Sequence, residues 1–130
     1  MILRNLGIFT TWILNSILPS SNNMRGSDIS HWVNESINKS KVVVFSKTTC
    51  PYCIKANGIL NSVAPNDLTI IQLDDNPDRA EIMEYFRETT GAATVPRVFI
   101  GGKFFGDCSK TVAANESGEL KKVLEEAGCQ

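Results

Sequence analysis

The chain has 130 residues, 21% of them charged, with 13 Lys and Arg against 14 Asp and Glu for a net charge of −1. That length suits one domain with a core of its own, and the near-neutral balance argues against a phosphate-backbone binder or a polybasic membrane patch, so neither nucleic acid nor a membrane is expected as a partner. Cys50, Cys53, Cys108 and Cys129 are too sparse and unevenly spaced for a small disulfide scaffold, which points to a reducing compartment.

Residues 1–27 read as a leader, disordered or targeting, ahead of a domain spanning 28–130. They contain no acid, carry Arg4 and Arg25, and hold an apolar stretch from Ile8 to Leu18 that Thr10, Thr11, Asn15 and Ser16 interrupt. A membrane span needs about 20 residues to cross roughly 30 Å of hydrocarbon, so this stretch is too short. Three readings are open: a mitochondrial transit peptide, a secretory signal lacking a small-x-small site after Leu18, or an extension skipped when translation starts at Met24. Cytoplasm is the expected location, with mitochondrion the alternative if residues 1–23 act as a transit peptide.

Ile29, Trp32, Val33 and Ile37 recur at helical spacing behind Ser27 and Asp28, which suit an N-cap and a first turn. Lys41 to Phe45 is a short β-branched run of the kind buried on both faces of a sheet. After the cysteine motif, Ala56, Ile59, Leu60 and Val63 mark a second helix, stopped by Pro65-Asn66-Asp67 before another strand from Leu68 to Leu73. Strand, helix, strand is a βαβ unit with parallel strands. A third helix carries Ala80, Ile82, Met83, Tyr85 and Phe86, opened by Asp74-Asp75-Asn76-Pro77 and closed by Gly91. Val98 to Ile100 and Lys103 to Phe105 flank Gly101-Gly102, a hairpin signal. A short helical stretch near Lys110 to Ala114 precedes a last helix with Leu120, Val123, Leu124 and Ala127, Glu116 near its start and Gly128 beyond its end. The sum is a three-layer α/β domain with a mixed four-stranded sheet and helices on both faces. Trp32, Phe45, Tyr85, Phe86 and Phe99 read as core, and Phe104 or Phe105 as a brace for the groove.

Cys50-Pro-Tyr-Cys53 falls where the first strand stops and the second helix begins, with Pro51 suited to the first helical position. Cys50 is then the N-cap, where free backbone N–H groups and the positive end of the helix dipole favour an anion, and Lys47 adds a cation. Such settings bring a thiol from about 8.5 down to roughly 3.5–7.5 and make it a nucleophile. Cys53, one turn further in, is covered, less acidic and placed to attack second. A mononuclear zinc site would need a second ligand pair, which Cys108, Cys129 and the single histidine, His31, do not supply at a suitable spacing, so no metal is expected. A structural disulfide closing so short a loop gains little entropy. The pair therefore reads as redox-active.

With Thr94-Val95-Pro96 more than 40 residues downstream, this motif makes residues 28–127 resemble the glutaredoxins, specifically the dithiol class with a CPYC active site. The resemblance implies a thioredoxin-like fold and a cis proline at Pro96 facing the cysteines. It also implies a backbone segment that pairs with glutathione in the manner of an added strand. Residue by residue, it implies that Lys47 holds a glutathione carboxylate and acidifies Cys50, that Tyr52 walls the groove, and that Thr94 and Val95 pair with the peptide beside Pro96. Backbone N–H groups of Cys108 and Ser109 would meet the γ-glutamyl carboxylate at a helix start. The family usually shows a second glycine and an acid pair where this chain has Gly106-Asp107-Cys108-Ser109-Lys110, so Asp107 sets a negative charge near that carboxylate and Ser109 lacks the acid for the glutathione ammonium. Met83 and Ala93 stand where a glutamine and a basic residue commonly help at the glycine end.

The implied activity is glutathione-dependent reduction of protein–glutathione mixed disulfides and protein disulfides, with Cys50 attacking and Cys53 resolving. No bound cofactor is needed, glutathione is the co-substrate, and the partners are glutathionylated or disulfide-bonded proteins met by a monomer. The alternative is a dimer holding an iron–sulfur cluster on two Cys50 thiolates and two glutathiones; Pro51, which stiffens the motif, and Cys53, which competes by forming a disulfide, argue against it. Cys108 reads as a small buried residue beside the groove, or else an extra redox thiol. Cys129 reads as exposed.

Overall fold

The computed structural model describes residues 26–130, so the reading of residues 1–25 lies outside the described part. Helix α1 (Gly26–Ile37) includes Gly26 and Ser27, placing the domain's first turn two residues ahead of the expected boundary. Strand β1 (Val42–Ser46) follows, then α2 (Pro51–Val63), β2 (Leu68–Gln72), α3 (Arg79–Thr90), β3 (Arg97–Ile100), β4 (Lys103–Gly106), α4 (Cys108–Ser117) and α5 (Glu119–Glu126).

The sheet order is β2-β1-β3-β4. β1 runs parallel to β2, with Val42 beside Leu68, and antiparallel to β3, with Val42 beside Ile100. Every residue of β1 is buried, which is why Val42 to Phe45 form an apolar run rather than an alternating one, with the buried Ser46 at its end. Successive side chains still point to opposite faces. Val43 and Phe45 join Ile29, Val33, Ile82, Phe86 and Phe99 beneath α1 and α3, whereas Val42 and Val44 join Leu60, Val98, Ile100, Ala114, Leu120 and Leu124 beneath α2, α4 and α5. Phe45 is the hub of the first layer, with ring centroids 4.9 Å from Phe86 and 5.7 Å from Phe99.

The β3–β4 turn is made by Gly101 and Gly102 at φ +62° and +78°, the pair of left-handed residues that a tight hairpin matching the sheet twist requires. The expected mixed four-stranded sheet with helices on both faces is present. α4 begins at Cys108, where a helix start is expected for the Cys108 and Ser109 N–H groups, but it is longer than the stretch near Lys110 to Ala114, and Glu116, expected near the start of the last helix, lies in the final turn of α4. Asp107 fixes the start, its Oδ1 accepting from the Lys110 N–H at 2.9 Å and capping the helix. Gly118, at φ +89°, then separates α4 from α5. Among the described residues no helix is long and apolar enough to cross a membrane.

Candidate active site

β1, a central strand, delivers the chain to one end of the sheet, and residues 47–49 turn it into α2. Cys50 is the N-cap, with an extended backbone at φ −87°, ψ 117°, and Pro51 opens the helix. Its ring pre-sets the helical φ and withholds no hydrogen bond there. The turn is anchored from the side: the Thr48 backbone N–H and hydroxyl both donate to the Asp74 carboxylate, at 3.0 and 2.9 Å, from the segment after β2.

Cys50 is half-buried and Cys53 fully buried, and both are thiols here. Burial alone would raise the Cys50 thiol. It is outweighed by hydrogen bonds to the sulfur from the Cys53 backbone N–H, the Cys53 thiol and the Tyr52 backbone N–H, with the charge of Lys47 adding least, so the thiol is lowered from its ordinary value. The helix start therefore does more than the lysine. Cys53 moves the other way, because burial dominates over the hydrogen bonds it receives from the Lys47 N–H, at 3.5 Å, and from Ser46. Cys50 is thus the more acidic thiol of the pair and Cys53 the less acidic one.

The Cys50 thiol faces the carbonyl oxygen of Val95 at 4.0 Å, and the Val95–Pro96 peptide is cis. Thr94 is exposed, Val95 half-buried and Pro96 buried. Beneath this segment lies a residue that the sequence reading passed over. Arg97 is 4% exposed and donates to the Thr94 carbonyl at 2.8 Å, the Thr94 hydroxyl at 2.7 Å and the Thr90 hydroxyl at 3.2 Å. A charge opening the apolar run Arg97-Val-Phe-Ile100 was the available signal. Asp74 and Ser46 were also missed, since neither belongs to a motif.

On the other side of Cys50, a cleft of about 280 Å³ between α2 and α4 is lined by Tyr52, Lys55, Cys108, Ser109, Val112, Ala113 and Glu116. The expected groove residues thus fall into two groups: Tyr52, Cys108 and Ser109 line this cleft, while Lys47, Thr94, Val95 and Pro96 lie nearer the thiol pair. Tyr52 is 67% exposed. Cys108 is buried, and burial pushes its thiol up, as expected for a small residue packed beside the cleft. Asp107 caps α4, so its carboxylate already occupies one N–H of the helix start. Met83 packs half-buried against the first core layer. Phe104 meets Phe99 edge to face, with ring centroids 5.5 Å apart, and Phe105 packs against the second layer.

Cys129, expected to be exposed, is half-buried against the second core layer, and burial raises its thiol too. The C-terminal segment folds back because the Lys41 ammonium donates to the Gly128 carbonyl at 2.7 Å and the Gln130 N–H donates to Asp67 at 3.0 Å. Among the described residues no group of three or more His, Cys, Asp or Glu is placed to hold a metal ion.

The chain is similar to known proteins in sequence and in fold. The glutaredoxin family model matches residues 42–105. A glutaredoxin of Vernicia fordii is 43% identical over 94 residues, covering 72% of this chain and 89% of that protein. Oxidized glutaredoxin 2 of Chlamydomonas reinhardtii superposes with a TM-score of 0.76 at 37% identity, over 82% of this chain and all of that one. A buckwheat glutaredoxin–glutathione complex superposes with a TM-score of 0.74 at 32% identity, over 80% of this chain and 94% of its own. The chain belongs to the glutaredoxin family of thiol–disulfide oxidoreductases.

Proposed function

We propose that the Cys50 thiolate attacks the glutathione sulfur of a protein–glutathione mixed disulfide. The old S–S bond breaks, the protein leaves as a thiolate that takes up a proton, and Cys50 carries the glutathione. A second glutathione, as thiolate, attacks this new disulfide, returning Cys50 and releasing glutathione disulfide. With a protein disulfide as substrate, Cys50 first forms a mixed disulfide with the protein. Cys53, once deprotonated, displaces it to give a Cys50–Cys53 disulfide that two glutathiones reduce. Glutathione lies along Val95, with the Val95 backbone pairing to its cysteinyl residue and Thr94 and Pro96 shaping the strand-like segment. Lys47 meets its glycine carboxylate, Tyr52 walls the groove, and the backbone N–H groups of Cys108 and Ser109 receive its γ-glutamyl carboxylate.

The single observation that carries this reading is the convergence of the Tyr52 and Cys53 N–H groups on the Cys50 sulfur while Cys53 stays buried and protonated. The buckwheat relative was solved with glutathione, which supports that ligand here. The test is NADPH consumption in a glutathione- and glutathione-reductase-coupled assay with a glutathionylated peptide. Turnover well above the uncatalysed exchange is expected, and its absence in the reduced, folded protein would refute the reading.

A further inference from the structure

Arg97 is a buried cation that the exchange chemistry above does not use, although a guanidinium with 4% exposure is costly to place unless its donors are engaged. Its donors are directed at one place. Nε holds the Thr94 carbonyl and Nη2 the Thr94 hydroxyl, so the two bonds fix both the backbone and the side chain of the residue preceding Val95. Nη1 holds the Thr90 hydroxyl at the last residue of α3, and that hydroxyl donates in turn to the Phe86 carbonyl at 2.6 Å. The Phe104 ring covers the guanidinium, with Cζ 5.2 Å from its centroid. Arg97 therefore ties residue 94 to the end of one helix and the rigid floor of the sheet.

We propose that Arg97 is a positioning residue for the thiol–disulfide exchange, holding the Thr94–Val95 backbone against Cys50 so that the peptide part of the substrate meets a preformed edge. The inference rests on the proposed reading that this edge receives glutathione. A planar fork is suited to the task, because one side chain fixes three oxygens on two segments; an ammonium in its place cannot hold all three in that geometry. The hydrogen bonds and the charge that lower the Cys50 thiol against its burial come from Cys53, Tyr52 and Lys47, so the role assigned to Arg97 is substrate alignment rather than tuning of the nucleophile.

The experiment compares wild type, Arg97→Lys, Arg97→Gln and Thr90→Val. It measures KM and kcat with a glutathionylated peptide, the pH midpoint of Cys50 alkylation by iodoacetamide, which needs no peptide pairing, and the melting temperature. In the folded variants KM for the glutathionylated peptide is expected to rise about tenfold for Arg97→Gln, less for Arg97→Lys, and about twofold for Thr90→Val, the scale set by losing charge-assisted hydrogen bonds. The alkylation midpoint stays where it is. A lowered melting temperature with unchanged KM would reduce Arg97 to a structural part and overturn the proposal, as would an alkylation midpoint that shifts along with KM. Should both Arg97 variants fail to fold, Thr90→Val decides alone, and an unchanged KM overturns the proposal. An inactive wild type would instead defeat the functional reading itself, whereas an active wild type with unaffected variants would defeat only the role of Arg97.

Discussion

The Cys50 sulfur lies 4.0 Å from the Val95 carbonyl oxygen, 45 positions along the chain. A nucleophile at the end of a parallel strand is thereby set against a backbone edge at the start of an antiparallel one. The sheet order makes this meeting necessary, because β1 and β3 are neighbours and run in opposite directions, so the end of one adjoins the start of the other. The site lies at one end of the two central strands, with the Cys50 thiol on one segment and the Val95 backbone on the other.

The division of labour between the two thiols leads to asymmetric variants. Cys50→Ser should abolish turnover of both glutathionylated peptides and protein disulfides. Cys53→Ser should retain the first activity and lose most of the second, since glutathione can replace the resolving thiol only when the intermediate is a glutathione mixed disulfide. The coupled assay with each substrate checks this, and equal losses in both variants would contradict the assigned roles.

Alkylation should follow the opposed shifts of the thiols. Burial tends to raise Cys50 but is outweighed by its hydrogen bonds, whereas it raises Cys53, Cys108 and Cys129. The thiolate is the reacting species, so labelling of Cys50 rises with pH through a midpoint below the roughly 8.5 of free cysteine, and falls away as the pH drops through it. Iodoacetamide at neutral pH followed by peptide mass mapping should find Cys50 modified first. Labelling of Cys129 at a comparable rate would count against the proposed nucleophile.

Asp74 steadies the turn that presents Cys50. The Thr48 N–H is the main cause that holds its carboxyl below the usual range. A group with a depressed folded pKa contributes stability above its unfolded value, about 3.9 for aspartate, and loses that contribution as the pH falls through the folded value. The turn should therefore remain anchored across the neutral range and loosen only in strong acid. Asp74→Ala at neutral pH should lower kcat/KM about two- to fivefold, as expected for a lost hydrogen-bonded anchor, with little change in the Cys50 alkylation midpoint. Thr48→Val combined with it should add little, which a double-mutant cycle would reveal.

Asp107 has two separable effects. Asp107→Ala removes the α4 cap and should lower unfolding stability by about 1 kcal/mol in urea titration. Asp107→Asn keeps a capping oxygen and removes only the charge, so stability should hold while KM for glutathione falls, if that carboxylate repels the γ-glutamyl end. An unchanged KM would place the γ-glutamyl group away from this helix start.

The sequence reading recovered a mixed four-stranded sheet with its parallel pair and its hairpin, because β1 and Val98–Ile100 are apolar runs and α2 and α3 carry helical periodicity; the antiparallel pairing of β1 with β3 that joins the two came only from the structure. It identified Cys50 as an N-cap because a strand, a thiol and a proline in succession admit few other arrangements. It placed Glu116 near the start of the last helix instead of in the final turn of α4, and it read Asp107 for its charge while overlooking its capping oxygen. It also exposed Cys129, whose burial depends on Lys41 and Asp67, residues far from it in the chain.

What the sequence determined by itself was a thiol at a helix start, since hydrogen bonding to Cys50 comes from the next three residues and needs no distant part of the fold. What only the tertiary structure decided was the environment around it: the anchoring of Thr48 by Asp74, the facing of Cys50 by Val95, and the clamping of Thr94 by Arg97. Those contacts are set by strand order and burial, and a buried arginine reads in a linear chain like any surface charge until the partners of its donors are known.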